Sequence, residues 1–199
     1  APLQTIESAL RLSPAVDVRE RGGKGIQTDI SIRGGSFDQT MVSLNGINFT
    51  DARTGHQSHS LPIDINAVSS INVIDGVSGV GAYAGAVDIR TAPLYPRYVS
   101  VEATGGAYGY YYGSLAGGYT TDRLSLLVTG SARHSGGYTY NTDFMNYNGY
   151  ARLSYSSPRA GLFDMQVGYQ NRAFGANGFY SLSYPDQFEQ TSTALASLR

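Results

Sequence analysis

The chain contains no cysteine, which excludes disulfides, thiolate metal sites and thiol nucleophiles. Lysine is nearly missing as well: Lys24 is the only one among 14 basic residues, and the formal net charge is −1. A basic footprint that would attract nucleic acid is therefore absent. No apolar run approaches the roughly 20 residues of a membrane helix, and no signal-peptide pattern is visible. Known catalytic spacings are also lacking. RGGKG does not have the spacing of a phosphate-binding loop, and in GVSGVGAYAG the third glycine falls one place too late for a dinucleotide fingerprint. His56 and His59 form an HxxH pair, but the pair lies in a polar loop without a third acidic ligand. No catalytic constellation emerges, and an enzyme is not expected.

What is present divides the chain in two. Of 16 tyrosines only Tyr83 precedes position 95, and the rest lie between Tyr95 and Tyr184. The division falls in the proline-bearing stretch TAPLYPR, so the expected domains are residues 1–92 and 97–199.

The first segment reads as α+β. Thr5 to Ser13 has a short helical pattern, with Ile6, Ala9 and Leu10 on one face, Thr5 at the cap and Pro14 as the stop. Val16 and Val18, then Ile30 and Ile32, alternate with polar residues as strands do. Met41, Val42 and Leu44 lead into Asn45-Gly46 and then Ile47 and Phe49, which is a hairpin signal because both turn residues tolerate positive φ. Asp64 to Ser69 suits a helical turn. Ile71 and Val73, and Val87 and Ile89, mark two further strands joined by a Gly-rich stretch.

The second segment has a period of two. Phe163, Met165, Val167 and Tyr169 alternate with Asp164, Gln166, Gly168 and Gln170, and similar patterns give strands near 97–104, 111–119, 123–133, 148–156, 162–170 and 191–199. Their lengths approach the roughly 9–11 residues of a tilted membrane strand. The connections TTDR and SSPRAG are short, whereas HSGGYTYNTDFMNY and NRAFGANGFYSLSYPDQFEQ are long and aromatic, and the first upper turn, GGAYG, is the short exception. Short turns at one end and long loops at the other are the habit of outer-membrane barrels. A soluble, tyrosine-rich β module on the cell surface shares the alternation, because its sheet also has one wet face.

DISIRGG (Asp29 to Gly35), MVSLNGI (Met41 to Ile47), INVIDG (Ile71 to Gly76) and GAVDIRT (Gly85 to Thr91) resemble, in order and spacing, the plug of TonB-dependent outer-membrane receptors. TGHQSHSLPI and FGANGFYSLSYPDQFEQT are similar to the cobalamin receptors of Bacteroidetes-like bacteria. The chain departs from the family at Asp75, where arginine is usual, and its following Gly-rich stretch is about four residues shorter.

The resemblance implies a plug domain followed by antiparallel strands of a transmembrane β-barrel, the first six of about 22. The chain is then expected to continue past Arg199 and to lack the TonB-contacting segment. The expected setting is the outer membrane of a Gram-negative bacterium. The expected partners are the lipid bilayer, TonB with its inner-membrane energising complex, and a surface lipoprotein lid. The cargo is cobalamin or a related corrinoid, with a ferric siderophore or other iron chelate as the alternative, and no resident cofactor is implied. Plug loops at Arg19 to Thr28 and Asp51 to Leu61 would face it, giving Glu20, Arg21, Lys24, Gln27, Thr54, His56, Gln57 and His59 as candidate ligand-binding residues. From the two long loops Tyr138, Tyr140, Phe179 and Tyr180 join them, with Phe144 and Tyr184 as further aromatics, because such side chains supply large contact area at low entropy cost. Asp143, Asp186 and Glu189 are the acids a calcium ion would use, as in some cobalamin receptors, although they have no EF-hand spacing.

Overall fold

A computed structural model describes residues 5–23, 25–49, 61–76, 82–179, 181 and 183–199. The chain forms two compact units, one of Ala1–Leu61 with Val68–Thr91 and the other of Pro62–Ala67 with Ala92–Arg199.

In the first unit, helix α1 (Ile6–Leu10) starts at Thr5, whose hydroxyl accepts from the Ser8 amide while the Ser8 hydroxyl answers the Thr5 amide. Ile6 and Leu10 are its buried face. The helix is shorter than the sequence pattern suggests: Leu12 and Ser13 donate to carbonyls three residues back, and Pro14 keeps Ser13 from continuing the α-helix. Strands β1 (Val16–Arg21) and β2 (Gln27–Ile32) form an antiparallel hairpin in continuous register from Val16–Ile32 to Arg21–Gln27.

Strands β3 (Thr40–Leu44), β4 (Ile47–Asn48), β5 (Val68–Asp75) and β6 (Gly85–Thr91) form a mixed sheet in the order β4-β3-β6-β5. The pair β3–β6 is parallel, and the other two pairs are antiparallel. Asn45 and Gly46 carry φ of 52° and 78°, so the Asn-Gly turn reads as expected. The Asn45 side chain also bonds Thr91 twice, accepting from its amide at 2.9 Å and donating to its hydroxyl at 3.0 Å. Val42, Leu44, Ala86, Val87 and Ile89 are almost wholly buried in the sheet. Gly85 is required by space: a Cβ there would lie 2.6 Å from the Ile74 carbonyl and 2.8 Å from Ile32 Cδ1. Asp75, the departure from the family pattern, pairs with Arg33 at 2.7 Å. Arg33 belongs to DISIRGG, so the unusual acid has a local partner.

The second unit is a meander of β7 (Arg97–Gly105), β8 (Tyr111–Thr120), β9 (Leu124–Ser135), β10 (Phe144–Ser157), β11 (Gly161–Gly175) and β12 (Phe188–Leu198). Each strand is antiparallel to the next with no register shift. One face is greasy and exposed, including Val99, Val101, Leu115, Val128, Phe163, Met165 and Val167. The other is polar and buried, including Thr129, Arg133, Asn146, Asp164, Gln166, Gln170 and Arg172. Apolar outside and polar inside is the arrangement of a membrane barrel and the inverse of a water-soluble one.

Tyrosines bracket the greasy face. Tyr111 and Tyr119 point outward near the two ends of β8, and Tyr147 and Tyr155 do so on β10. Eight residues at the usual rise and a 40° tilt span about 20 Å of membrane normal. That is close to the roughly 25 Å apolar band, and tyrosine is stable where one end must be dry and the other wet.

Strands β10 and β11 are longer than the sequence pattern predicts, reaching up to Phe144 and Gly175 rather than residues 148 and 170. The long connections accordingly shrink to residues 136–143 and 176–187.

Candidate ligand-binding loops

The two long loops are joined through their backbones. Asn141, held at φ of 51°, donates through Nδ2 to the carbonyls of Pro185 and Gln187, each at 2.7 Å. The Asn177 side chain donates to the Tyr140 carbonyl at 2.8 Å, and its amide donates to the Asn141 carbonyl. Gly175 donates to the Asp143 carbonyl at 2.9 Å, and its missing Cβ makes room for Asn141. Within residues 136–143, Thr142 closes a turn by exchanging hydrogen bonds with Thr139. The result is one connected platform at the end of the sheet opposite the short turns.

Aromatic groups stand on that platform. Tyr138 and Tyr140 are each 66% exposed, and Tyr184 is also exposed. The Tyr140 hydroxyl donates to the Asp186 carboxylate, which favours the neutral phenol and raises its pKa above the ordinary tyrosine value. Phe179 is stacked on Phe174 with ring centroids 5.5 Å apart. Phe144, expected on a loop, is instead a buried residue at the start of β10. Among the described residues no three His, Cys, Asp or Glu side chains gather as a metal site. Asp143, Asp186 and Glu189 do not come together as such a group.

The loop expected at Arg19 to Thr28 is a correction. Hairpin pairing extends through Arg21 and Gln27, leaving only residues 22–26 as the connection. Glu20 lies opposite Thr28 and Arg21 opposite Gln27 in the ladder, because Val18 and Ile30 continue their alternation outward. Glu20 holds Arg11 at 2.8 Å, Arg21 lies 3.9 Å from Asp29, and Gln27 is buried. Glu20 and Gln27 are thus built into the unit rather than held out from it. Lys24, Thr54, His56, Gln57, His59 and Tyr180 lie outside the described residues. Sequence reasoning overlooked Asn141 and Asn177, although Asn-Thr-Asp and Ala-Asn-Gly are both turn-forming strings.

A small mixed sheet followed in the chain by an antiparallel meander with one apolar and one polar face resembles a plug domain and the first strands of a barrel. Residues 1–88 match the TonB-dependent Receptor Plug Domain. The fold is similar to that of the pyoverdine outer membrane receptor FpvA from Pseudomonas aeruginosa PAO1, with a TM-score of 0.70 and 16% identity over 86% of this chain and 26% of that one. It is similar also to the copper transporter OprC, with a TM-score of 0.75 and 17% identity over 99% of this chain and 31% of that one. For the ferric citrate transporter FecA the TM-score is 0.69, with 18% identity over 88% of this chain and 30% of that one. At such identities the likeness is one of fold, and the chain spans about a third or less of each of these structures. A comparison with curated protein sequences gives no match.

Proposed function

We propose that the chain is the plug and opening barrel portion of an outer-membrane, TonB-dependent receptor that imports a scarce cargo too large to diffuse through porins. The observation that carries this reading is the continuity of a plug domain with strands whose outward face is apolar and bracketed by tyrosine. Such a face is stable against lipid, and backbone crossing a membrane must be paired strand to strand. Cargo would be captured by the loop platform with its exposed tyrosines and by plug loops. TonB, energised from the inner membrane, would then pull on the plug. Polar, Gly-rich contacts suit a plug that must rearrange, because they open at lower cost than a dry core.

The cargo within this reading is cobalamin or a related corrinoid. Its support is the likeness of TGHQSHSLPI and FGANGFYSLSYPDQFEQT to cobalamin receptors, and amide and hydroxyl groups there suit the amide-rich rim of a corrinoid. A surface lipoprotein lid belongs to the same reading. The second reading is an iron chelate, favoured by the pyoverdine and ferric citrate proteins among the similar folds. Titration calorimetry on the intact receptor separates them. Nanomolar binding of cyanocobalamin supports the first, and heat from a ferric siderophore with none from cobalamin replaces it with the second. Heat-modifiable migration and a need for detergent are expected in either case. A stable monomer in plain buffer overturns both.

A further inference from the structure

Residues Pro62–Ala67 lie between β4 and β5 in sequence, yet they group with the strands of the second unit. Their attachment is specific. Asp64, 7% exposed, accepts from the Tyr112 hydroxyl at 2.7 Å and from the Ser131 hydroxyl at 3.1 Å, and it lies 3.6 Å from the Arg133 guanidinium. Arg133 is itself buried and sits over the Tyr112 ring at 4.8 Å. Asn66 donates to the Ser114 hydroxyl at 2.6 Å and to the Tyr112 hydroxyl at 2.9 Å. At the other end Pro62 lies against Gly168, where a Cβ would come within 3.1 Å of its ring and carbonyl. The segment thus crosses the inner face from β11 to β8, held at three points.

We infer that Pro62–Ala67 is a strap that stays fastened to the strand wall when residues 1–61 and 68–91 rearrange, with Asp64 as the fastening. Withdrawing this buried carboxylate breaks its ion pair with the buried Arg133 and its bonds from Tyr112 and Ser131, so the segment resists detachment. The inference concerns the polypeptide and holds whatever the cargo proves to be.

Hydrogen exchange on the intact receptor in detergent, followed through a urea series, tests it without any ligand. The amides of Asn66 and Ala67 should stay protected at urea concentrations that already open Val42–Leu44 and Val87–Ile89, and should open only with β8 and β9. Opening of Asn66 and Ala67 together with Val42–Leu44 overturns the inference. Asp64→Asn should lower strap protection at least tenfold while leaving β8 and β9 unchanged, and unchanged strap protection overturns it. Should that variant not assemble, cysteines at Asn66 and Ser114 bridged by a short bis-thiosulfonate supply the second arm. Bridging should leave the urea midpoint of Val42–Leu44 unmoved. A raised midpoint would mean that the strap moves with those strands, and the inference fails.

Discussion

Asn141 offers the sharpest test of the loop platform. Its carboxamide donates to two carbonyls of the other long loop, and its backbone sits in the left-handed region. Asn141→Asp keeps the size and tolerates the same φ but replaces the donor with a negative oxygen facing the Pro185 and Gln187 carbonyls. Two hydrogen bonds of about 1 kcal/mol each are lost, so the loop-open population should rise about 30-fold even before repulsion is counted. Asn141→Ala loses the same bonds and adds about 1 kcal/mol of left-handed strain, for about 100-fold or more. Asn141→Gly keeps the φ and loses only the bonds, so it should fall below alanine. The assay is hydrogen exchange of residues 137–142 and 183–188 in the intact receptor. Equal exchange in wild type and Asn141→Asp would refute the reasoning, because the loops would then be held by something other than this side chain.

Leu115 is 56% exposed midway between Tyr111 and Tyr119. Leu115→Arg should cost about 2–4 kcal/mol if that face meets the bilayer midplane, read as reduced barrel assembly and urea resistance in vesicles; no change would point to a water-facing sheet. In the plug, Asn45→Ala leaves the buried Thr91 amide without its acceptor and should cost about 1–3 kcal/mol, read as faster exchange of β3 and β6 amides. Tyr140 donates to Asp186 and its pKa is raised, so this contact should persist below the ordinary tyrosine pKa of about 10 and be lost as pH climbs through the raised value. Asp186→Asn should bring one phenolate transition of the ultraviolet titration back toward the ordinary range, and an unchanged titration curve counts against the contact.

Much of this architecture was readable because a strand with one apolar and one polar face must alternate. Where both faces of a strand have fixed environments, as from Phe163 to Tyr169, strict alternation follows and the strand is legible. Past Asn171 and below Asn148 the outward side need not be greasy, alternation fades, and the ends of β10 and β11 were placed too far inside. The Asn-Gly turn was clear because two residues state their backbone conformation outright. The β1–β2 connection was misjudged because Arg19, Glu20 and Gln27 are polar, and polarity in a short hairpin looks like a loop. Glu20 gave no sign of its bond to Arg11, since the partner sits nine residues away across a helix end and a turn. The platform was missed for a similar reason: Asn141 meets Pro185 and Gln187 more than forty residues later, a proximity created by register and not by local pattern.

Among the described residues the six wall strands pair only with their immediate neighbours along the chain, so each can be added beside the one before it. Pro62–Ala67 is different. It precedes every one of those strands in sequence, yet its three points of attachment are spread over β8, β9 and β11. Its Asp64 and Asn66 can seat once β8 and β9 are in place, but its Pro62 end has no seat until the later-made β11 has arrived. Assembly therefore has a compulsory order, and a chain stalled before Gly168 would hold Asp64 in a finished berth of Tyr112, Ser131 and Arg133 while Pro62 still had nothing to lie against.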